Sequence, residues 1–302
     1  KLPDIGISFR DYVLAERGLQ DSETYRRAQE YWMKRVDGLP PSPDLPIRTG
    51  PAARRSPRFS RREARLESSR WRKLKADARA KGLTPSGLLL ALYSEVLARW
   101  SATPHFTLNV TVSGRLPMHK DVNYLIGDFT TLIMQEVDRR DPRLTFIEFA
   151  KALQKQFLTD FDHRQVSGVT VMREWAKRRG ISLQAAMPVV FSSGLAWSGD
   201  EEVGNLEQFG SKVFSVSQTS QVWLDHHVVE INGDLDFVWD AADAVFEEGV
   251  LDAMFSTYTD LVRRLSEDET LWNSHDIVAL PPAMEKRRAG VNRTSGAMPE
   301  RR

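Results

Sequence analysis

No stretch of this chain limits its fold more than QVWLDHHVVEINGDLDFVWD, residues 221–240. At its centre Asn232-Gly233 reads as a two-residue hairpin turn, because both residues accept the positive φ that such turns require. A turn there sets the register: Ile231 faces Asp234, Val229 faces Asp236, and Asp225 faces Asp240. Strand alternation then puts Trp223, Asp225, His227 and Val229 on one face, and Val222, Leu224, His226 and Val228 on the other. His226 shares its face with apolar residues and is expected as a satisfied core histidine. His227 shares the face of Asp225 and is placed to orient it. Asp225 is the anomaly. A carboxylate desolvated in mid-strand and faced by a like charge holds its proton more tightly, which is the property of a general acid working near neutral pH. The competing reading is a buried aspartate tied to backbone amides or to an arginine, and the residues alone leave the two open.

Helices and strands are intermixed along the rest of the chain. DSETYRRAQEYWMKRVDG reads as a helix capped by Asp21 or Ser22 and stopped at Gly38. The prolines of LPPSPDLPI, residues 39–47, predict an extended surface segment. A basic loop is expected over 48–57, and the six arginines between 54 and 65 read as a solvated face in preference to a phosphate patch. FSRREARLE predicts a strand over 59–67, followed by a polar helix over 68–81. In LTPSGLLLALYSEVLARWS, Thr84 is the cap and Pro85 the first helical residue. Leu88, Leu89, Leu92, Val96 and Trp100 make its apolar stripe. Further strands are expected at 105–113, 130–137, in MPVVFSSGL, and in KVFSVSQ at 212–218, with helices at 144–161, 167–179 and 247–265. The fold class is therefore α/β, a mixed sheet packed with helices.

At 302 residues the chain can bury a substantial core. Forty-two basic against 41 acidic residues leave no global field for nucleic acid or an anionic membrane. No apolar run approaches the ~20 residues of a membrane span. The absence of cysteine excludes a thiol nucleophile and thiolate metal sites and fits a cytoplasmic protein. The scattered histidines lack metal-ligand spacing, and no glycine-rich phosphate loop occurs. Ser192-Ser193 close a buried run without a G-x-S-x-G elbow. The first residue is Lys1, and both ends read as connecting polypeptide, as in a piece of something longer.

Taken together, LPPSPDLPI, LTPSGLLLALYSEVLARWS, IGDFTTL, DHRQVSGVTVMRE, PVVFSSGL and SQTSQVWLDHHV followed by DFVWD resemble, in the same order, the heterocyclization domains of nonribosomal peptide synthetases. The resemblance implies a chloramphenicol-acetyltransferase-like lobe, half of a two-lobed domain. Residues 1–20 would be an inter-lobe linker, 21–279 the C-terminal lobe, and 280–302, with VNRTSGAMP, a linker toward an adenylation domain. Neither the D-x-x-x-x-D motif of the family's N-terminal lobe nor the H-H-x-x-x-D-G of ordinary condensation domains is present, and HHVVEINGD imitates the latter with the wrong spacing. Two positions depart locally. Ser192 stands where the family has threonine and keeps the hydroxyl. Gly114-Arg115 replaces an Asn-Arg pair, losing an asparagine implicated in the family's active site.

The resemblance further implies that two carrier-bound aminoacyl groups are joined and a Cys, Ser or Thr side chain is cyclodehydrated to a thiazoline or oxazoline. Asp225 and Ser192 would be catalytic. Ser193, Gln218, Thr219, Gln221, His227, Asp240, Asp128 and Arg115 would support or position, with Asp128 and Thr130 structural or lining the tunnel. No cofactor or metal is expected on the lobe itself; 4'-phosphopantetheine arrives on the upstream and downstream peptidyl carrier proteins. Because the tunnel needs both lobes, the lobe alone is expected to be inactive. The alternatives are an amide-forming condensation domain that never cyclizes, and a non-catalytic lobe that docks carrier proteins.

Overall fold

A computed structural model describes residues 4–48, 58–181, 186–195, 210 and 213–279. Residues 49–57 of the basic loop expected over 48–57, and the tail from 280, lie outside the described residues. The elements are, in order, α1 (Phe9–Gly18), α2 (Glu23–Arg35), β1 (Phe59–Leu66), α3 (Ser68–Ala80), α4 (Pro85–Trp100), β2 (His105–Ser113) and β3 (Thr130–Asp138). After these come α5 (Phe146–Asp162), α6 (Gly168–Arg179), β4 (Val189–Ser193), β5 (Leu224–Ile231), β6 (Asp234–Ala242) and α7 (Val250–Glu267). The strands form one six-stranded sheet in the order β1-β6-β5-β4-β2-β3. β4 runs parallel to β2 and to β5, and the other neighbours are antiparallel, so the sheet is mixed as expected.

The β5–β6 hairpin has the register that its turn dictates. Asn232 and Gly233 both take positive φ, 52° and 84°. Asp225 pairs with Asp240, Val229 with Asp236 and Ile231 with Asp234. Alternation does the rest. Leu224, His226 and Val228 join Phe237 and Trp239 in the main core with α3, α4 and α7, while Asp225, His227 and Asp240 point to the opposite face.

Helix α4 starts where its cap requires, Thr84 Oγ1 accepting from Gly87 N at 3.0 Å. Its apolar surface is wider than a stripe: residues on nearly every side are buried, because α4 lies between the sheet and the helices α3, α5 and α7. A second apolar cluster packs α2 and α6 against Ile133 and Met134 of β3. There the glycine opening α6 is needed, since a Cβ on Gly168 would sit 2.6 Å from the Leu132 carbonyl oxygen.

Two expectations, for 39–47 and for 213–218, are corrected. Residues 39–47 are extended but do not lie wholly on the surface: Leu39 and Leu45 are buried, and Trp175 Nε1 donates to the Leu39 carbonyl at 2.9 Å. Within residues 1–20, expected as an inter-lobe linker, the structure places α1, whose Ser8/Asp11 capping box is present in the sequence. Tyr12 and Phe9 pack it on the loop that follows β2, closely enough that Gly127 has no room for a side chain beside the Phe9 ring. Residues 213–218 make no strand; Val213 and Phe214 are exposed, and Ser217 N donates to a side chain instead of a ladder carbonyl.

Candidate active site

Cross-strand register brings the polar residues of the outer face into two rows. One row runs Arg61, Asp240, Asp225, Val190 and Asn109. The next runs Glu63, Val238, His227, Ser192 and Thr111. Asp225 lies in the middle of the first row, and Ser192 sits one strand over beside His227. Among the described residues no side-chain hydrogen bond joins Ser192 to Asp225.

The two carboxylates at the centre have different surroundings. Asp240 is fully buried and takes a two-pronged bond from Arg61, Nε to Oδ1 at 2.8 Å and Nη2 to Oδ2 at 2.6 Å. Ser217 N donates to the same Oδ2 at 2.8 Å. Such pairs are short and directional because both partners are charged. The like charge expected opposite Asp225 is thus neutralised by Arg61. The arginine that the competing reading invoked exists, but it holds Asp240 and not Asp225.

Asp225 is itself buried, 5% exposed. His227 Nε2 lies 2.9 Å from its Oδ2, in ion-pair contact with the N–H off the line between them, and Ser217 Oγ approaches Oδ2 at 3.4 Å. Its other oxygen, Oδ1, is buried and has no hydrogen-bond partner among the described residues. A buried unpaired acceptor costs roughly 1–3 kcal/mol, so its persistence asks for a purpose. Burial by itself opposes charging of His227, yet the contact with Asp225 and the charges of Asp225 and Asp240 outweigh it and raise its pKa. Across the strand, His226 is packed among the rings of Tyr93, Phe191, Trp239 and Tyr258, and burial pushes its pKa down to about 3. It is the core histidine that alternation predicts.

The other expected site residues are not brought to Asp225. Ser193 lies on the core face, where its Oγ meets Ser86 Oγ at 2.7 Å. Gln218, Thr219 and Gln221 are exposed in the segment leading into β5, with Gln221 at a positive φ of 67°. Asp128 caps the start of β3, accepting from Thr130 N at 2.8 Å. Arg115 donates to the Val122 and Leu125 carbonyls and stacks 3.7 Å over the Phe129 ring, so it braces its own loop. A Cβ at Gly114 would meet the Phe129 carbonyl oxygen at 3.2 Å, which makes any larger residue there tight.

Sequence reasoning missed Arg61, Ser217, Asn109 and Thr111. Asn109 Nδ2 donates to the Met187 carbonyl at 2.7 Å, while its buried Oδ1 has no partner among the described residues. The signal for Arg61 was there in its run of arginines, whose spacing puts Arg61 and Arg65 beside Asp240 and Asp236 of β6, and Arg62 beside Asp243 and Asp252. Those arginines are ion-paired, not merely solvated. Among the described residues no group of three acidic or imidazole side chains is placed to hold a metal ion, and no helix is long and apolar enough to cross a membrane. A cavity of about 310 Å³ lies against α7, beside Asp260, Arg264 and Ile277, on the far side of the sheet from Asp225.

A family profile described as Condensation domain matches residues 1–281. The chain is 40% identical over 278 residues to pyochelin synthetase PchF of Pseudomonas aeruginosa, covering 91% of this chain and 15% of that protein. It is 36% identical over 301 residues to phenyloxazoline synthase MbtB of Mycobacterium tuberculosis, covering 98% of this chain and 21% of the relative. Among solved structures, the EpoB cyclization-docking bidomain from Sorangium cellulosum superposes with a TM-score of 0.81 at 41% identity, over 90% of this chain and 54% of that one. The chain thus spans about half of that structure and a small part of the synthetases it matches. The sheet and its helices have the chloramphenicol-acetyltransferase-like fold of these structures.

Proposed function

The chain belongs to the condensation-domain family of nonribosomal peptide synthetases, and from that premise we propose that it is part of a heterocyclization domain in which Asp225 moves the protons of ring closure. The observation that carries this reading is the asymmetry of one carboxyl group. Oδ2 is met by His227 and Ser217, while Oδ1 is desolvated and, among the described residues, unpartnered on the polar face. A group held at one oxygen and free at the other is built to exchange a proton with something that arrives.

The reaction would proceed on two carrier-borne groups. The acceptor amine attacks the donor thioester, giving an amide and a free carrier thiol. The acceptor's Cys, Ser or Thr side chain next attacks the new amide carbonyl, and the hydroxyl of that adduct leaves as water. Asp225 gives a proton to the leaving hydroxyl and accepts the one shed by the ring nitrogen. His227 holds the carboxyl's other oxygen and keeps its orientation. Ser192, one strand away in the same polar row as His227, offers its hydroxyl to the adduct. The pantetheine arms of upstream and downstream carrier proteins would supply proximity, worth several kcal/mol when both groups share one tunnel. That tunnel needs the partner lobe, so turnover is expected of the intact domain, with the adenylation domain loading the acceptor. The names of the matched relatives, an oxazoline synthase and a cyclization bidomain among them, support ring closure over simple condensation.

A second reading, amide formation without cyclization, is favoured by Gly114, where no side chain can replace the family's asparagine. The test is reconstitution of the synthetase that contains this sequence, with loaded carriers and mass spectrometry of the product. A product one water lighter than the open amide supports ring closure. Amide alone contradicts it, and no coupled product at all leaves the lobe as a docking element.

A further inference from the structure

The proposed chemistry leaves one buried ion pair of the polar face without a task. Asp240 is wholly enclosed, yet both of its oxygens are occupied: Arg61 takes one each through Nε and Nη2, at 2.8 and 2.6 Å, and Ser217 N adds a third bond at 2.8 Å. Ser217 is the junction. Its backbone is fixed to Asp240, and its hydroxyl reaches Asp225 Oδ2 at 3.4 Å. Asp240 is also the direct cross-strand partner of Asp225. Like charges in that position repel, so Asp240 is tolerable beside a working carboxylate only while Arg61 neutralises it.

Resting on the assignment of Asp225 above, we infer that Arg61 is a positioning residue: through Asp240 and Ser217 it fixes Asp225 Oδ2, and it removes the like charge that would otherwise act on the reacting carboxyl group. The charged and titratable groups around this pair are Arg61 and Glu63 from β1, His227 from β5, and Tyr93 of α4 acting through the sheet. Of these, only Arg61 makes a direct contact with Asp240. The segment leading into β5 meets the polar face through the same device, Ser217 N donating to Asp240 Oδ2.

The test uses the intact synthetase with loaded carriers, recording amide and ring formation separately across pH. Arg61→Met leaves an unpaired carboxylate next to Asp225. The acid limb of the ring-formation profile is expected to move to higher pH by about one unit or more, with ring formation falling roughly 100-fold. In Arg61→Met/Asp240→Asn the charge is gone while the amide oxygen can still accept from Ser217 N. The limb is expected to return and ring formation to recover about tenfold. Should Arg61→Met fail to fold, Arg61→Lys carries the test, because it keeps the charge and loses the fork. Ring formation should then drop by about tenfold with amide formation unchanged.

A limb that stays fixed in Arg61→Met, or a lysine variant whose amide and ring rates fall together, overturns the inference and leaves Arg61 a structural residue. If the parent enzyme yields amide only, the cyclization reading fails separately. The limb is then followed on amide formation instead: a shift in Arg61→Met supports the positioning role, and a fixed limb overturns it.

Discussion

His226 and His227 are consecutive residues of one strand with opposite electrostatics. His226 is enclosed by four aromatic side chains, and burial drives its pKa down to about 3. His227 is half-buried beside Asp225, and its pKa is raised despite that burial. What separates them is the pleat. One face of β5 is packed against α4 and α7, where the His226 ring meets aromatic side chains and the Val238 carbonyl; the other keeps its polar groups in two aligned rows. The proposed chemistry is placed on the second face, where Arg61 neutralises Asp240 and one oxygen of Asp225 is left without a partner among the described residues. The two imidazoles lie on opposite faces of the sheet, which keeps them from sharing a ligand.

The packed face should break first under truncation. Tyr258→Ala removes a fully buried ring that meets Tyr93, His226, Phe237 and Trp239, and is expected to cost about 3–5 kcal/mol. Urea unfolding checks this, and a loss under about 1 kcal/mol would mean the ring cluster is not the packed core described above.

Acid titration separates the two histidines by sign. The pKa of His226 is depressed in the fold, so its contribution is complete above its unfolded value of 6.5 and is lost as pH falls toward about 3. Between pH 7 and 5 that loss is about 2 kcal/mol at 1.4 kcal/mol per unit. His226→Phe should lose correspondingly less stability over the same interval; equal losses in parent and variant would contradict the burial of a neutral imidazole. For His227 the pKa is raised, so its contribution is present below 6.5 and disappears as pH rises through the folded value. The stability gap between the parent and His227→Ala should narrow as pH rises, and a widening gap would mean that the contact with Asp225 does not favour the charged imidazole.

Smaller effects sharpen the comparison within the polar face. Ser192→Ala in the intact enzyme is expected to slow ring formation by about tenfold, the worth of one hydrogen bond, while Ser192→Thr stays close to the parent. An alanine variant at parental rate would remove Ser192 from the site. Gln218→Ala and Thr219→Ala replace exposed side chains and should change stability by less than about 0.5 kcal/mol. A larger change measured by urea unfolding would show that these side chains make contacts that their exposure does not suggest.

The hairpin was legible because its turn and its alternation are local properties: Asn232-Gly233 sets the register, and the register places Asp225 opposite Asp240. Residues 213–218 were misread for the same reason. KVFSVSQ alternates like a strand, but a strand needs a neighbour's free edge, and here the backbone is captured by the Asp240 side chain. Arg61 escaped notice because its partner is 179 residues away, and no local pattern announces that β1 pairs with β6. The environment of Asp225 was half legible. Its burial follows from its neighbours in sequence, whereas the neutralised charge opposite depends on a strand from the other end of the chain. Likewise, burial on both sides of α4 could not be read from one stripe, since it depends on which helices cover the sheet.

The central claim is that Asp225, and neither histidine, carries the chemistry. It is tested most directly by Asp225→Asn in the intact synthetase, with amide and ring quantified by mass spectrometry. The variant is expected to fold and to accumulate the open amide, one water heavier than the ring, with ring formation reduced by about 100-fold or more. Parental amounts of the dehydrated ring from Asp225→Asn would contradict the claim.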